Sequence, residues 1–245
     1  MLERQAAGED AAKHEGPAVI ALVDYGAGNL TSVRKALSAI GADVWTPSVA
    51  GELGRAHGII VPGVGHFDST KALTEDWRTA IKTMVEDGVP LLGICVGLQW
   101  LFEGSEEAPG TPGLCVFEGT CFNLGTPSPK PPTSAKATVG RQVPSPLKVP
   151  HVGWNSIIAP RSTRLMSGVN DGSQVYFTHS YAAPVTEDAA AISEYGVPFS
   201  AAVERGNVSG VQFHPEKSGD VGLHILSNWT RWCGGSSGGA RADAL

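Results

Sequence analysis

The sequence predicts an α/β fold: a doubly wound, mostly parallel central sheet with antiparallel strands added to it. Two observations point there. Three strand–loop–helix units follow one another in the N-terminal part of the chain, and such a succession requires right-handed crossovers between parallel strands. The strands of those units are continuous apolar runs, the pattern of strands covered on both faces. Composition agrees, since 245 residues with 42% hydrophobic, 17% charged and 31 glycines suit a loop-rich α/β domain better than a coiled coil or a disordered chain.

The elements follow in order. Ala18–Val23 is the first buried strand, Asp24-Tyr-Gly-Ala-Gly28 turns the chain, and Asn29 stands where a helix cap belongs. Leu30, Val33, Leu37 and Ile40 recur at helical spacing until Gly41 stops them. His57–Val61 is the second strand and runs into Pro62-Gly-Val-Gly65; Leu73, Trp77, Ile81 and Met84 then mark a helix ending near Gly88. Val89–Ile94 is the third strand, leading into a helix that begins near Gly97. Short strand candidates fill the second half: Leu114–Phe117, Val152–Ile158, Val175–Tyr181, Ala189–Glu194 and Ala201–Glu204. Arg205-Gly-Asn207 reads as a hairpin turn into Val208–Phe213, and an amphipathic helix runs from about Val221 to Trp232. Residues 17–233 are therefore expected to form one domain. Residues 1–16 read as a flexible leader, residues 234–245 (GGSSGGARADAL) as a flexible tail, and the Pro/Ser/Thr-rich residues 126–147 as an exposed insertion.

Several function classes fall away. The net charge of −6 is not gathered into runs and argues against nucleic acid as a partner. The charged N-terminus is not a secretory signal, and no apolar run approaches the ~20 residues of a membrane-spanning helix. The expectation is a cytoplasmic protein with no membrane association. Cys95, Cys115, Cys121 and Cys233 show no C-x-x-C spacing, so neither a metal site nor a disulfide framework is indicated. The Gly26-x-Gly28 loop lacks the third glycine of a dinucleotide fingerprint, where Thr31 stands, and no Walker-type loop occurs. No cofactor is expected.

The residues suited to chemistry begin with Gly93-Ile-Cys95-Val-Gly97, between a buried strand and a helix. A nucleophile at a sharp strand–helix turn needs small neighbours because the backbone packs closely there, and a helix N-terminus favours the reactive thiolate. Taken alone, the pentapeptide fits a buried structural cysteine equally well. A cysteine nucleophile needs a base and a group to orient that base. Val211-Gln-Phe-His214-Pro-Glu216 offers both, with the proline limiting the freedom of the pair. His-Pro-Glu by itself fits a solvated turn; in the order Cys…His-x-Glu the catalytic reading takes precedence. Acyl transfer also needs donors for an oxyanion, each typically worth about 10²–10³ in rate. The Val96 N–H and the glycine-rich Pro62–Gly65 segment are the candidates.

Together these segments resemble the class I, triad-type glutamine amidotransferases, through G-I-C-V-G-L-Q around Cys95 and V-Q-F-H-P-E-K-S ending at Ser218. Within that group the chain is similar to the glutaminase subunits of imidazole glycerol phosphate synthases. Asp24–Leu30, Pro150-His-Val-Gly-Trp-Asn155 and Tyr176-Phe-Thr-His-Ser-Tyr181 carry this narrower likeness, which spans about Ala18 to Trp232. The resemblance implies Cys95 as nucleophile, His214 as acid and base, Glu216 as its orienting partner, and an oxyanion hole made by Val96 with the Val64–Gly65 peptide. It also implies that Gly65, Gln99, Glu107, His179, Ser180 and Tyr181 hold glutamine, with Glu107 on its α-amino group. Asn29, Trp154, Tyr176 and Lys217 would face a (β/α)₈-barrel cyclase, to which ammonia passes in histidine biosynthesis. His66 departs from the small residue usual after Pro-Gly-Val-Gly, and would either disturb the oxyanion segment or point to solvent. The rival readings are a glutaminase for anthranilate, aminodeoxychorismate, guanylate or pyridoxal phosphate synthesis, a stand-alone γ-glutamyl hydrolase, and a non-catalytic scaffold subunit.

Overall fold

The computed structural model describes residues 19–125 and 147–234. The expected leader, all but the last residue of the insertion and all but the first residue of the tail lie outside them. The chain runs through β1 (Val19–Leu22), α1 (Leu30–Ala39), β2 (Asp43–Trp45), β3 (Gly58–Gly63), α2 (Glu75–Glu86), β4 (Leu91–Cys95) and α3 (Val96–Trp100). It continues through β5 (Gly104–Ser105), β6 (Thr120–Asn123), β7 (His151–Ser156), β8 (Gln174–His179) and β9 (Tyr181–Ala182). β10 (Ala189–Tyr195), β11 (Val197–Arg205), β12 (Val208–Val211) and α4 (Gly219–Gly234) complete it.

One seven-stranded sheet, ordered β10-β11-β12-β4-β3-β1-β2, organises the molecule. From β12 to β2 every pairing is parallel, whereas β11 and β10 add on antiparallel. This is the predicted α/β class. Every residue of β3, β4 and β12 is buried, which explains why β3 and β4 read as unbroken apolar runs. α1 is capped as expected: the Asn29 side chain accepts a hydrogen bond from the Ser32 N–H at 3.3 Å. α4 lies directly on β3, where a Cβ on Gly58 would come within 2.8 Å of the buried Trp229 ring.

Register decides where chemistry can occur. Gly63 at the end of β3 pairs with Cys95 at the end of β4, and Val211 at the end of β12 pairs with Ile94. The residues that follow β3, β4 and β12 therefore emerge side by side at the C-terminal edge of the parallel strands, the usual place for a site in such sheets. Beside that edge β7 and β8 form a separate antiparallel hairpin, pairing His151 with His179 and Trp154 with Tyr176.

Some expectations are corrected. Leu114–Phe117 forms no strand: the Leu114 N–H bonds to the Trp100 carbonyl, and the Val116 and Phe117 N–H groups bond to that of Leu101. Its buried Leu114 and Phe117 pack against the core while the backbone fastens the end of α3. Tyr181 belongs to β9, which pairs with β6, so the Val175–Tyr181 run is split at Ser180. β2 and β6 were not foreseen, being three and four residues long and only partly buried.

Candidate active site

Cys95 sits at the sharp junction between β4 and α3 with φ 55° and ψ −108°, a left-handed backbone that costs a non-glycine residue about 1–3 kcal/mol. The neighbouring glycines make the junction possible. A Cβ on Gly93 would lie 2.5 Å from the Gly97 carbonyl oxygen, and one on Gly97 would collide with the Val61 carbonyl. On the facing strand, a Cβ on Gly63 would stand 2.7 Å from Val96 Cβ. The Cys95 side chain is buried and free of any disulfide.

β12 brings His214 to the same place. Its N–H donates to the Tyr176 carbonyl at 2.9 Å; Ser218 Oγ donates to the His214 carbonyl at 2.7 Å and accepts from the Tyr176 N–H at 3.0 Å. These bonds tie the turn after β12 to β8. His214 Nδ1 then meets Glu216 Oε1 at 2.9 Å, with the two side chains only 2% and 1% exposed. Burial alone would lower the pKa of His214, but Cys95 and Glu216 beside it outweigh burial and raise it to about 10. Nε2 lies within electrostatic reach of Cys95 but makes no hydrogen bond of ordinary geometry, and Glu216 Oε2 is likewise unpartnered. The arrangement holds a charged imidazole next to a strained cysteine, as a nucleophile and its acid–base partner require.

A pocket opens over this pair. Val64, Gly65 and Val96 line it beside Cys95 and His214, and so do Gln99, Glu107, His179, Ser180 and Tyr181. Pro150 and Thr178 complete its wall and were not foreseen. Glu107 Oε2 accepts the Phe67 N–H at 2.8 Å, which anchors its carboxylate on the rim. His179 Nδ1 bonds to the Tyr181 carbonyl at 2.8 Å and its Nε2 meets His151 Nδ1 at 3.0 Å. Burial, reinforced by His151 and His214, lowers the His179 pKa to about 3 despite the Tyr181 carbonyl; burial also lowers that of His151 to about 4. Among the described residues no group of three or more His, Cys, Asp or Glu side chains is placed to hold a metal ion.

The residues implied to face a partner divide into two kinds. Trp154 is 56% exposed and stands edge-on to Tyr176, and Lys217 Nζ lies 5.6 Å from the centre of the Tyr176 ring. Those three form one surface cluster, joined by exposed Val152 on β7. Asn29 instead spends its side chain capping α1. His66 is turned to solvent, its Nδ1 accepting the Asp68 N–H at 3.1 Å. Two side chains carry no expectation from the sequence yet touch the site. Gln212 Nε2 lies 3.6 Å from Cys95 Sγ, and Tyr25 packs against Gly63 with its buried hydroxyl unpartnered. The signal for Gln212 was a lone amide in an apolar strand, since a buried polar group needs partners.

Comparison with known proteins places this geometry. The sequence pattern of the family described as Glutamine amidotransferase class-I matches residues 21–231. The imidazole glycerol phosphate synthase subunit HisH of Methanosarcina acetivorans is 44% identical over 221 residues, covering 87% of this chain and 98% of that protein. The subunit of the same name from Deinococcus radiodurans is 41% identical, covering 86% and 93%, and that from Thermococcus kodakarensis is 42% identical, covering 87% and 100%. The structure of PurLQS from Thermotoga maritima has the same fold, with a TM-score of 0.64 at 17% identity over 89% of this chain and 99% of that one. The left-handed cysteine elbow, the buried histidine–glutamate pair and these likenesses agree: the chain is a class I glutamine amidotransferase and belongs to the family of imidazole glycerol phosphate synthase HisH subunits.

Proposed function

We propose that the chain hydrolyses glutamine at Cys95 and hands the ammonia to a (β/α)₈-barrel cyclase subunit, as the glutaminase of an imidazole glycerol phosphate synthase in the cytoplasm. The single observation that carries this reading is the left-handed elbow at Cys95 with the buried His214–Glu216 pair in the same pocket. His214 holds the proton given up by the thiol, and Cys95 Sγ, as the thiolate, attacks the side-chain amide carbon of glutamine. Negative charge gathers on the amide oxygen, and the N–H groups of Val96 and of the Val64–Gly65 peptide stabilise it. His214, kept charged by Glu216, then protonates the departing nitrogen as the carbon–nitrogen bond breaks, leaving a γ-glutamyl thioester. Water activated by the now neutral His214 attacks the thioester, releasing glutamate and restoring the thiol.

The other pocket residues fit the rest of the substrate. Glu107 balances the α-ammonium group, while Gly65, Gln99, His179, Ser180 and Tyr181 enclose the remainder. Neither a metal nor an organic cofactor enters any step. Trp154, Tyr176 and Lys217, with Asn29 at the head of α1, form the face toward the cyclase; a wide aromatic in the open is suited to burial at such an interface. The expected result is weak glutamate release by the chain alone and strong stimulation by a barrel cyclase with its nucleotide ligand. Cys95→Ala should abolish glutamine use but leave ammonia-dependent synthesis by the complex. Loss of both activities together would make Cys95 a structural residue, and full activity without a partner would make the chain a free hydrolase.

A further inference from the structure

We infer that Gln212 holds the Cys95 thiolate through its side-chain N–H, with its amide orientation dictated by a directed chain of hydrogen bonds that converges on the Tyr181 carbonyl. The inference rests on Cys95 being the nucleophile.

The argument starts from an atom that can only accept. The Tyr181 carbonyl oxygen receives Gln99 Nε2 at 2.8 Å and His179 Nδ1 at 2.8 Å, so both its lone pairs are engaged. Gln99 must point its NH₂ at that oxygen, because the flipped amide would set oxygen against oxygen. Gln99 Nε2 also lies 3.2 Å from Gln212 Oε1, which must therefore be the acceptor. The Gln212 NH₂ is then left facing Cys95 Sγ at 3.6 Å. Gln212 is fully buried and Gln99 is 2% exposed, so solvent cannot reorient either amide cheaply. The side-chain oxygen of Gln99 is buried without a partner, a cost the site bears while the amide keeps this orientation.

The other branch is fixed from both ends. Since His179 Nδ1 carries its proton toward Tyr181, Nε2 is a bare acceptor, and His151 Nδ1 must donate to it at 3.0 Å. His151 Nε2 is then bare and takes the Asn155 NH₂ at 3.4 Å. Asn155 is oriented independently: its NH₂ donates to the Glu194 carbonyl at 2.9 Å, and its oxygen accepts the Ser156 N–H at 2.8 Å. Both directions of reading give the same protons. A proton added to His179 Nε2 would face the one on His151 Nδ1, so both rings must stay neutral, as their lowered pKa values require. Cys95 thus has His214 as its proton partner and Gln212 as a fixed neutral donor that cannot take a proton from it.

The test uses the full chain and reads alkylation of Cys95 by iodoacetamide against pH, quantified on the Cys95 peptide because Cys115 is exposed and will react as well. Gln212→Met keeps size and removes the donor; the midpoint of the profile should rise by about one pH unit and the rate at neutral pH should fall about tenfold. Gln212→Glu, which places like charge beside the thiolate, should raise the midpoint further. Unchanged midpoints in both folded variants overturn the inference. Wild-type protein supplies a second measurement should the variants not fold: ¹⁵N spectra near pH 7 should show His151 and His179 neutral with the proton on Nδ1. A proton on Nε2 of either ring, or a charged ring, overturns the directed chain. Cys95→Ala in the glutamate-release assay separates the two levels of the argument. Retained turnover there removes the nucleophile reading itself, whereas a dead Cys95→Ala beside Gln212 variants with the wild-type alkylation profile removes only the role of Gln212.

Discussion

His214 and His179 line one pocket and are both buried, yet their chemistry is opposite. His214 has a carboxylate at 2.9 Å and Cys95 close by, and its pKa rises to about 10. His179 has a second imidazole at 3.0 Å and a backbone carbonyl at 2.8 Å, and its pKa falls to about 3. Desolvation acts on both rings in the same direction, so the difference comes from the partners. In the proposed mechanism the first ring carries a proton through the reaction; the second stays neutral and holds the Tyr181 carbonyl.

The sharpest way to break that contrast is to take the carboxylate from His214. Glu216→Gln keeps the shape and a hydrogen-bonding oxygen but removes the charge that favours the imidazolium. Glutaminase activity of the complex should fall by about 10²–10⁴. The pH profile of the residual activity should also move to lower pH as His214 loses its support. A variant with wild-type rate and profile would show that Cys95 alone holds the charge on His214.

Stability against pH should show the two rings pulling in opposite senses. For His214 the folded-state value lies above the ordinary 6.5, so the stabilisation is complete below about pH 6.5 and is lost as pH rises toward about 10. For His151 and His179 the folded values of about 4 and about 3 lie below 6.5. Their contribution is present above about pH 6.5 and is lost as pH falls through that window, because the unfolded chain binds protons that the folded one refuses. Each proton is worth ~1.4 kcal/mol per pH unit inside its window. Urea unfolding across the range should therefore give a midpoint that declines on both sides. His151→Gln should flatten the acid side by about one proton, and Glu216→Gln should flatten the alkaline side. If both variants changed the same limb, the assignment of opposite signs would be wrong.

What the sequence disclosed follows from the same physics. Ile59–Val61 and Leu91–Ile94 were legible because strands covered on both faces are written as unbroken apolar strings. The pairing of His214 with Glu216 was legible because it is local, two residues apart across a proline. The His151–His179 contact was not, since it spans 28 residues and depends on the register of β7 against β8. Leu114–Phe117 misled because its buried residues mimic a strand while its N–H groups bond to the carbonyls of Trp100 and Leu101. β2 escaped because three partly exposed residues carry no pattern. Gln212 stood inside a recognised motif, but its target could be seen only once β12 was aligned with β4.

Tyr25 supplies the smallest and most discriminating test of the view that partners, not burial, decide. Its hydroxyl is buried against Gly63 beside the cysteine elbow, has no hydrogen-bond partner, and has its pKa pushed up by burial and then by Cys95. A buried hydroxyl without a partner has given up its water and gained nothing, so it destabilises by about 1 kcal/mol or more. Tyr25→Phe keeps the ring and removes only that oxygen. The melting temperature should stay level or rise by about 2–4 °C, whereas Glu216→Gln, which strips a partner from the buried His214 ring, should lower it near neutral pH. A fall on Tyr25→Phe comparable to that of Glu216→Gln would mean that the hydroxyl does bond in solution, through a water bridging it to the pocket. The elbow would then be held by three polar side chains, Tyr25 together with Gln212 and His214, instead of two.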